Sequence, residues 1–289
     1  MIDGGDMQRV LWGIIVGVVL GLSLPVRAEA TLDQILQSGT LKLGYRESSP
    51  PFSFLGPDQR PHGYSIELCK SVASEISREL GQHSLEIKWV GVDAHNRFDA
   101  LRKGEIDLLC GNTSHTLARR TEFDFSLMTF VDGAGLLYRG GEQPVTEQDL
   151  RGQRFAVVTG TTTEAVLDNL VGTSSLGAQL LRVKDHDAAL AALRDGQATA
   201  YAADRTVLIA TALSQGKGRA YDLSNVQFNY EPYGLAMRRD ADLRLLVDRT
   251  LARLYRSGEI ELIMGRWFAS IGHLTPALEA MIKLNALPE

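Results

Sequence analysis

Cationic and polar side chains gather just past the ends of strand-like apolar runs. Arg46 follows the run 41–45. Arg97 follows a run ending at Val90 and a short loop, and Asn112, Ser114 and Arg119 follow 106–110. Thr162 follows 155–159, His186 follows 180–183 and Asp204 follows 198–203. A guanidinium is the natural bidentate partner of a carboxylate, and an aspartate accepts from an ammonium. Free N–H groups at a helix start hold anions. Each residue also has a plain structural reading. Thr161 and Glu164 fit a capping box, Asp204 would cap a helix starting near Arg205, and Glu47 would pair with Arg46. A single arginine is usually a solvated surface charge. No Ser-His-Asp order with a nucleophile elbow, no HExxH, no P-loop and no GxGxxG is present. The set therefore points to binding rather than to bond-making.

The elements that must position these residues alternate. The first group is strand 41–45, helix 65–80, strand 85–90, helix 96–103 and strand 106–110. The apolar face of helix 65–80 is Cys69, Val72, Ala73, Ile76 and Leu80, at helical spacing. Before it, Thr31-x-x-Gln34 reads as the capping box of a short helix that Gly39 ends, and Ser65 reads as the cap of the second helix. The pattern restarts with strand 155–159, a helix opening at 160–164, strand 180–183, helix 187–194 and strand 198–203. Ala100-Leu-Arg-Lys-Gly104 and Ala192-Leu-Arg-Asp-Gly196 mark equivalent points in the two halves. Such alternation predicts βαβ units, hence an α/β fold of two lobes of similar design with largely parallel sheets. Ligands of open α/β sheets lie beyond the carboxyl ends of the strands, where the polar residues sit.

Composition narrows the partners. The chain has 289 residues and a formal net charge of -5, which argues against nucleic acid. Two cysteines cannot build a disulfide framework or a four-thiolate zinc site, and no metal or cofactor is expected. Cys69 lies on a helix packing face and Cys110 ends a strand of the same lobe; a disulfide and two buried thiols both remain open. The apolar segment 10–24 is too short for the ~30 Å hydrocarbon core. It is followed by Val26-Arg27-Ala28, a small-x-Ala pattern. Residues 1–28 therefore read as a signal peptide cleaved after Ala28, with Ala30 as second choice, and the protein is expected in the periplasm. Asp3 and Asp6 do not suit a basic n-region, whereas a start at Met7 would leave Gln8-Arg9 in that role.

From Thr31 to Phe268 the chain resembles the extracytoplasmic solute-binding proteins of polar amino-acid ABC transporters (family 3), with the glutamate/aspartate-binding branch nearest in pattern. The stretches that carry the resemblance are Gly44-Tyr-Arg-Glu-Ser-Ser-Pro-Pro-Phe52, Gly63-Tyr-Ser65, Asn96-Arg97, Gly104-Glu-Ile-Asp107, Asp124-Phe-Ser126, Gly160-Thr-Thr-Thr-Glu164, Lys184-Asp-His186, Pro232-Tyr-Gly234, Ser257-Gly-Glu-Ile260 and Arg266-Trp-Phe268. Each is weak alone, but in this order they are specific.

The resemblance implies a two-lobed periplasmic-binding-protein (type II) fold, two mostly parallel sheets joined by crossover strands near 130–134 and 231–235. Lobe one would be 31–132 plus 234–289, and lobe two 135–231. The resemblance implies that Arg119 grips an α-carboxylate with help from Ser114 and Thr162. It implies that Asp204, the Asn112 carbonyl and the Ser114 hydroxyl hold an α-ammonium. Arg46, Arg97 and His186, read as three cations, would face a side-chain carboxylate. The implied protein is a monomer that captures glutamate or aspartate and presents it to an inner-membrane ABC permease. The acidic branch usually has Thr-Ser-Gln before Asn-Arg; here Asp93-Ala94-His95 stands there, so one side-chain donor is missing and preference over glutamine and asparagine is in question. A cyclohexadienyl-dehydratase-like enzyme is the alternative on the same scaffold; it would need a free cleft carboxyl, for which Asp93 and Glu47 are the candidates. The run 276–287 is expected to add an amphipathic helix (Leu278, Met281, Ile282, Leu284) to lobe one.

Overall fold

The computed structural model describes residues 30–289 except 82–84, 142–149, 175–176, 215–219 and 273–274. The expected signal peptide 1–28 lies outside the described residues. Two five-stranded sheets dominate. The first runs in the order Glu86–Val92, Thr40–Arg46, Leu108–Cys110, Ala236–Arg238, Phe123–Phe125. The second runs Gln179–Val183, Arg154–Val158, Ala200–Asp204, Ala134–Arg139, Tyr221–Leu223. In each, the first three strands are parallel and the fourth is antiparallel to both neighbours. That fourth strand is in both cases the first strand after the chain crosses between sheets. The crossing strands, Phe130–Asp132 and Glu231–Tyr233, pair antiparallel with each other, Pro232 facing Val131. The crossover positions expected from the sequence and the two-sheet architecture are both present.

Strand parity fixes what each sheet face buries. In Arg154–Val158, Phe155 and Val157 enter one core of the second sheet and Ala156 the other. In Ala200–Asp204, Ala200 and Ala202 go one way, while Tyr201 and Ala203 go toward the helix His186–Arg194. The first sheet sets Leu41 and Leu43 against the helix Tyr64–Glu79 and its buried Leu68, Cys69, Val72 and Ile76. Cys69 and Cys110 are joined as a disulfide, with Cα atoms 6.1 Å apart, which settles the pairing that the sequence left open.

An aromatic knot fastens the crossing strands to the first sheet's core. Phe52 meets Tyr64, Phe130, Tyr233 and Phe268 with centroid separations of 6.2, 4.9, 5.2 and 5.5 Å. The Tyr64 hydroxyl donates to the Thr129 carbonyl at 2.7 Å, just before the first crossing.

Helix starts differ from their local sequence signals. Thr31 is the first helical residue of Thr31–Ser38 rather than its cap, and its N–H donates to Asp240 Oδ2 at 2.6 Å. The other oxygen of Asp240 caps the helix Ala241–Ser257, so one carboxylate closes two helix starts. Ser65 does not cap either. Gly63 (φ 126°) precedes the helix Tyr64–Glu79, where a Cβ would stand 2.3 Å from the Phe52 carbonyl oxygen. The Ser65 hydroxyl instead donates to the Gly111 carbonyl at 3.1 Å. The C-terminal helix Pro276–Asn285 buries Leu278, Met281 and Ile282 as expected, but Leu284 is 75% exposed and belongs to its solvent face.

Candidate ligand-binding site

Seven of the eight residues picked from the sequence line one small polar cavity. They are Arg46, Arg97, Asn112, Ser114, Thr162, His186 and Asp204, joined by Val158, Thr161, Thr163, Ala202 and Ala203. They come from the carboxyl ends of both sheets. The two sides touch across the site. Arg97 Nη2 donates to the Gly160 carbonyl at 3.0 Å, and the Ser114 and Thr162 hydroxyls meet at 3.0 Å. Asn112 Nδ2 donates to Asp204 Oδ2 at 3.2 Å. Gly160 has φ 78°, and a Cβ there would stand 2.9 Å from the Ala94 carbonyl oxygen, so glycine is what lets the sides approach.

Arg119 is the eighth and is not among the residues lining that cavity. Its Nη1 donates to the Ser114 carbonyl at 2.8 Å. Its guanidinium lies 5.0 Å from the Phe98 ring centroid, as does that of Arg97. One aromatic ring thus supports two cations.

Local structure explains each placement. Thr161 caps the helix Thr162–Thr173 by accepting from Glu164 N at 3.1 Å, while the Glu164 carboxylate accepts from Gly160 N at 2.7 Å. Asp185 caps the helix His186–Arg194, which points His186 inward from the first turn. Asp204 is released from capping. Asp132, at the end of the first crossing strand, accepts from Thr206 N at 3.2 Å instead. The Asp204 carboxylate is held by Asn112, Thr163 and the Tyr233 hydroxyl. The strand-end loop 112–114 is held by the returning crossover, with His115 N bonded to the Pro232 carbonyl and Gly234 N to that of Thr113.

Charge is concentrated and poorly solvated. Arg46 is 5% exposed and Arg97 3%. Burial lowers the Arg46 pKa to about 10, Asp93 and Asp204 opposing the fall and Arg119 adding to it. Arg97 is also pushed well down, by burial first and then by Arg46 and Arg119. Two of its nitrogens, Nε and Nη1, are buried without a hydrogen-bond partner. Burial, then Arg46 and Arg97, drive His186 to about 3. The imidazole is therefore neutral, which corrects the reading of three cations: two guanidiniums carry the charge because a third would be buried against both. Asp204 moves up, from burial and then from Asp132 and Glu231.

The departure at 93–95 is structural in effect. Asp93 Oδ1 accepts from the N–H groups of His95 and Asn96 at 2.7 Å each, and Ala94 is buried against the Gly160 turn. Residues not picked from the sequence also contribute: Tyr233 and Thr163 on Asp204, Phe98 beneath two arginines, and Tyr201 on His186. Tyr233 and Thr163 lie inside recognised stretches, which were usable signals; Phe98 and Tyr201 depend on register.

Two like sheets, two crossing strands and a polar cavity at their carboxyl ends define a two-lobed binding protein of the type II periplasmic fold. The chain belongs to the bacterial extracellular solute-binding proteins, family 3, whose profile matches residues 41–270, and is a solute-binding protein of the amino-acid ABC importer class. It is 31% identical over 242 residues to the glutamate/aspartate import solute-binding protein of Salmonella typhimurium, covering 83% of this chain and 80% of that one. It is also 31% identical over 252 residues to the L-glutamate/L-aspartate-binding protein of Pseudomonas aeruginosa, covering 86% and 83%. Among solved structures, a mutant of ArgBP from T. maritima aligns with TM-score 0.71 and 26% identity, over 82% of this chain and 99% of that one.

Proposed function

We propose that the protein captures an acidic L-amino acid, glutamate or aspartate, between its lobes, and hands it to an inner-membrane ABC permease without making or breaking a bond. The observation that carries this reading is Arg97: a buried guanidinium lining the cavity, beside a second one, with two nitrogens unpartnered. Unpaired buried cations cost stability, and a side-chain carboxylate between Arg46 and Arg97 would compensate both. Asp204 would take the α-ammonium, and Ser114 and Thr162 would meet the α-carboxylate. Arg119, whose Nη1 holds the Ser114 carbonyl, would grip that carboxylate with its remaining donors. The names of the two relatives at 31% identity point the same way.

In this reading the lobes are 31–132 plus 234–289 and 135–231, the exported chain works in the periplasm as a monomer, and closure follows from a ligand touching both lobes. The dehydratase alternative needs a free carboxyl in the cavity. Asp93 is engaged with its own loop, and neither Asp93 nor Glu47 lines the wall, which favours binding. Calorimetry on the mature chain with glutamate, aspartate, glutamine and asparagine tests the reading. Micromolar or tighter binding of an acidic member, about 8 kcal/mol or more, is expected. No heat with any of the four would overturn it, and preference for an amide would overturn the acidic assignment.

A further inference from the structure

His186 has two ring nitrogens with different surroundings. Nδ1 lies 2.6 Å from the hydroxyl of Tyr201. That contact follows from strand parity: Tyr201 faces the helix that starts at His186, and both side chains are buried. The imidazole also lines the cavity beside Arg46 and Arg97. With Nδ1 engaged, Nε2 is the nitrogen left for the cavity.

A neutral imidazole carries one N–H, so the partner of Nδ1 decides which face is the donor. The Tyr201 phenol has one proton. Among the described residues the hydrogen-bond partner of this buried phenol is His186 Nδ1, so its proton goes unsatisfied unless it is donated to Nδ1. An Nε2 lone pair would add a further acceptor facing the cavity; an Nε2–H would offer a donor to the same anion that Arg46 and Arg97 await.

We propose that Tyr201 is a positioning residue that holds His186 as its Nε2–H tautomer, giving the side-chain carboxylate a third, uncharged donor beside the two guanidiniums. The inference rests on the acidic-ligand reading for its ligand but not for its tautomer. The charged or titratable groups around the pair are Arg46 and Arg97 across the cavity, Asp204 on Tyr201's own strand, and Asp185 and Asp187 at the start of the His186 helix. Selection for a carboxylate would then not depend on His186 becoming charged.

The test has two arms. Nitrogen-15 spectra of the ligand-free wild type should show His186 protonated at Nε2 and bare at Nδ1, unchanged from about pH 8 to about pH 5. A protonated Nδ1, or a charged ring in that range, overturns the proposal. Tyr201→Phe keeps the ring packing and should weaken glutamate binding on the order of fivefold, the loss of one hydrogen bond. Against a His186→Gln background the same change should do nothing more. Equal losses in both backgrounds would make Tyr201 merely structural and overturn the role, as would no loss in either. Should the wild type bind no acidic amino acid, the functional reading fails while the spectra still decide the tautomer.

Discussion

Tyr233, in the returning crossover, hydrogen-bonds Asp204 at the end of a strand in the second sheet, while its hydroxyl also lies 3.4 Å from Asp132. One phenolic proton thus serves two carboxylates, and burial raises the pKa of both. A ligand ammonium would favour the Asp204 carboxylate and expel any proton it holds. The free-state pKa is raised and the bound-state value lower. Affinity should therefore be full above the free value and fall as pH drops through it, by up to about tenfold per unit. Calorimetry in buffers of different ionisation heat should register proton release. Tyr233→Phe removes a donor to the carboxylate, so the pH midpoint should rise and affinity at neutral pH should weaken.

Arg97→Met separates function from stability. The guanidinium is 3% exposed and two of its nitrogens lack partners, so replacing it by an apolar side chain of similar length should stabilise the ligand-free protein by about 1 kcal/mol or more. The same change should abolish acidic-ligand binding. A thermal melt should show a higher ligand-free midpoint and no shift with glutamate. A lower midpoint would mean that the Nη2 bond to Gly160 outweighs the buried charge.

His186 should make the ligand-free fold acid-sensitive. Its native pKa is about 3, against an ordinary 6.5. Below the ordinary value the unfolded chain takes up a proton that the native ring refuses. Stability is thus intact above about 6.5 and falls as pH drops toward about 3, by up to about 1.4 kcal/mol per unit. Denaturant unfolding of the wild type and His186→Gln at several pH values isolates the contribution: the difference between them should be constant above about pH 6.5 and change in the wild type's disfavour as pH falls below it.

The three parallel strands of each sheet and most of the cavity wall were legible because they rest on local signals, whereas the antiparallel fourth strand of each sheet and the fifth beside it were not. Apolar runs ended by polar residues marked the strand ends, and seven of the chosen eight residues line one wall. What failed locally was decided by remote partners. Asp240 caps the helix at Thr31 from 209 positions away, and Asp132 relieves Asp204 of capping across 74 positions to Thr206. The charge state of His186 was illegible for the same reason: it follows from burial against Arg46 and Arg97, which converge only in the fold. Arg119 adjoins the cavity residues through one guanidinium nitrogen, Nη1, which donates to the Ser114 carbonyl.

The Cys69–Cys110 bridge should support the site as well as the fold. It closes a separation of 41 residues, for which the chain-entropy account gives roughly 4 kcal/mol. Cys110 is followed by Gly111, whose carbonyl accepts from Ser65, and then by Asn112 and Ser114 on the cavity wall. Urea unfolding with and without reductant should show that loss. The Cys69→Ala/Cys110→Ala variant should bind more weakly at temperatures where it is still folded. Unchanged affinity would confine the bridge to stability.

Gly160 offers a test of closure that leaves every ligand-binding side chain in place. Its φ of 78° disfavours any residue with a Cβ, and that Cβ would also stand 2.9 Å from the Ala94 carbonyl oxygen of the facing lobe. Gly39, at φ 65°, shares the backbone demand but has nothing within 4 Å of its would-be Cβ. Alanine at either position should cost about 1–2 kcal/mol of stability, through the left-handed conformation. Only at Gly160 does the methyl group also obstruct the approach of the lobes, so Gly160→Ala should weaken glutamate binding about tenfold or more while Gly39→Ala leaves it unchanged. Calorimetry and melts on the pair check this. Equal affinities would mean that the Ala94 loop yields at little cost, and that the contacts of Arg97 and Ser114 with the facing lobe, rather than the fit at Gly160, govern closure.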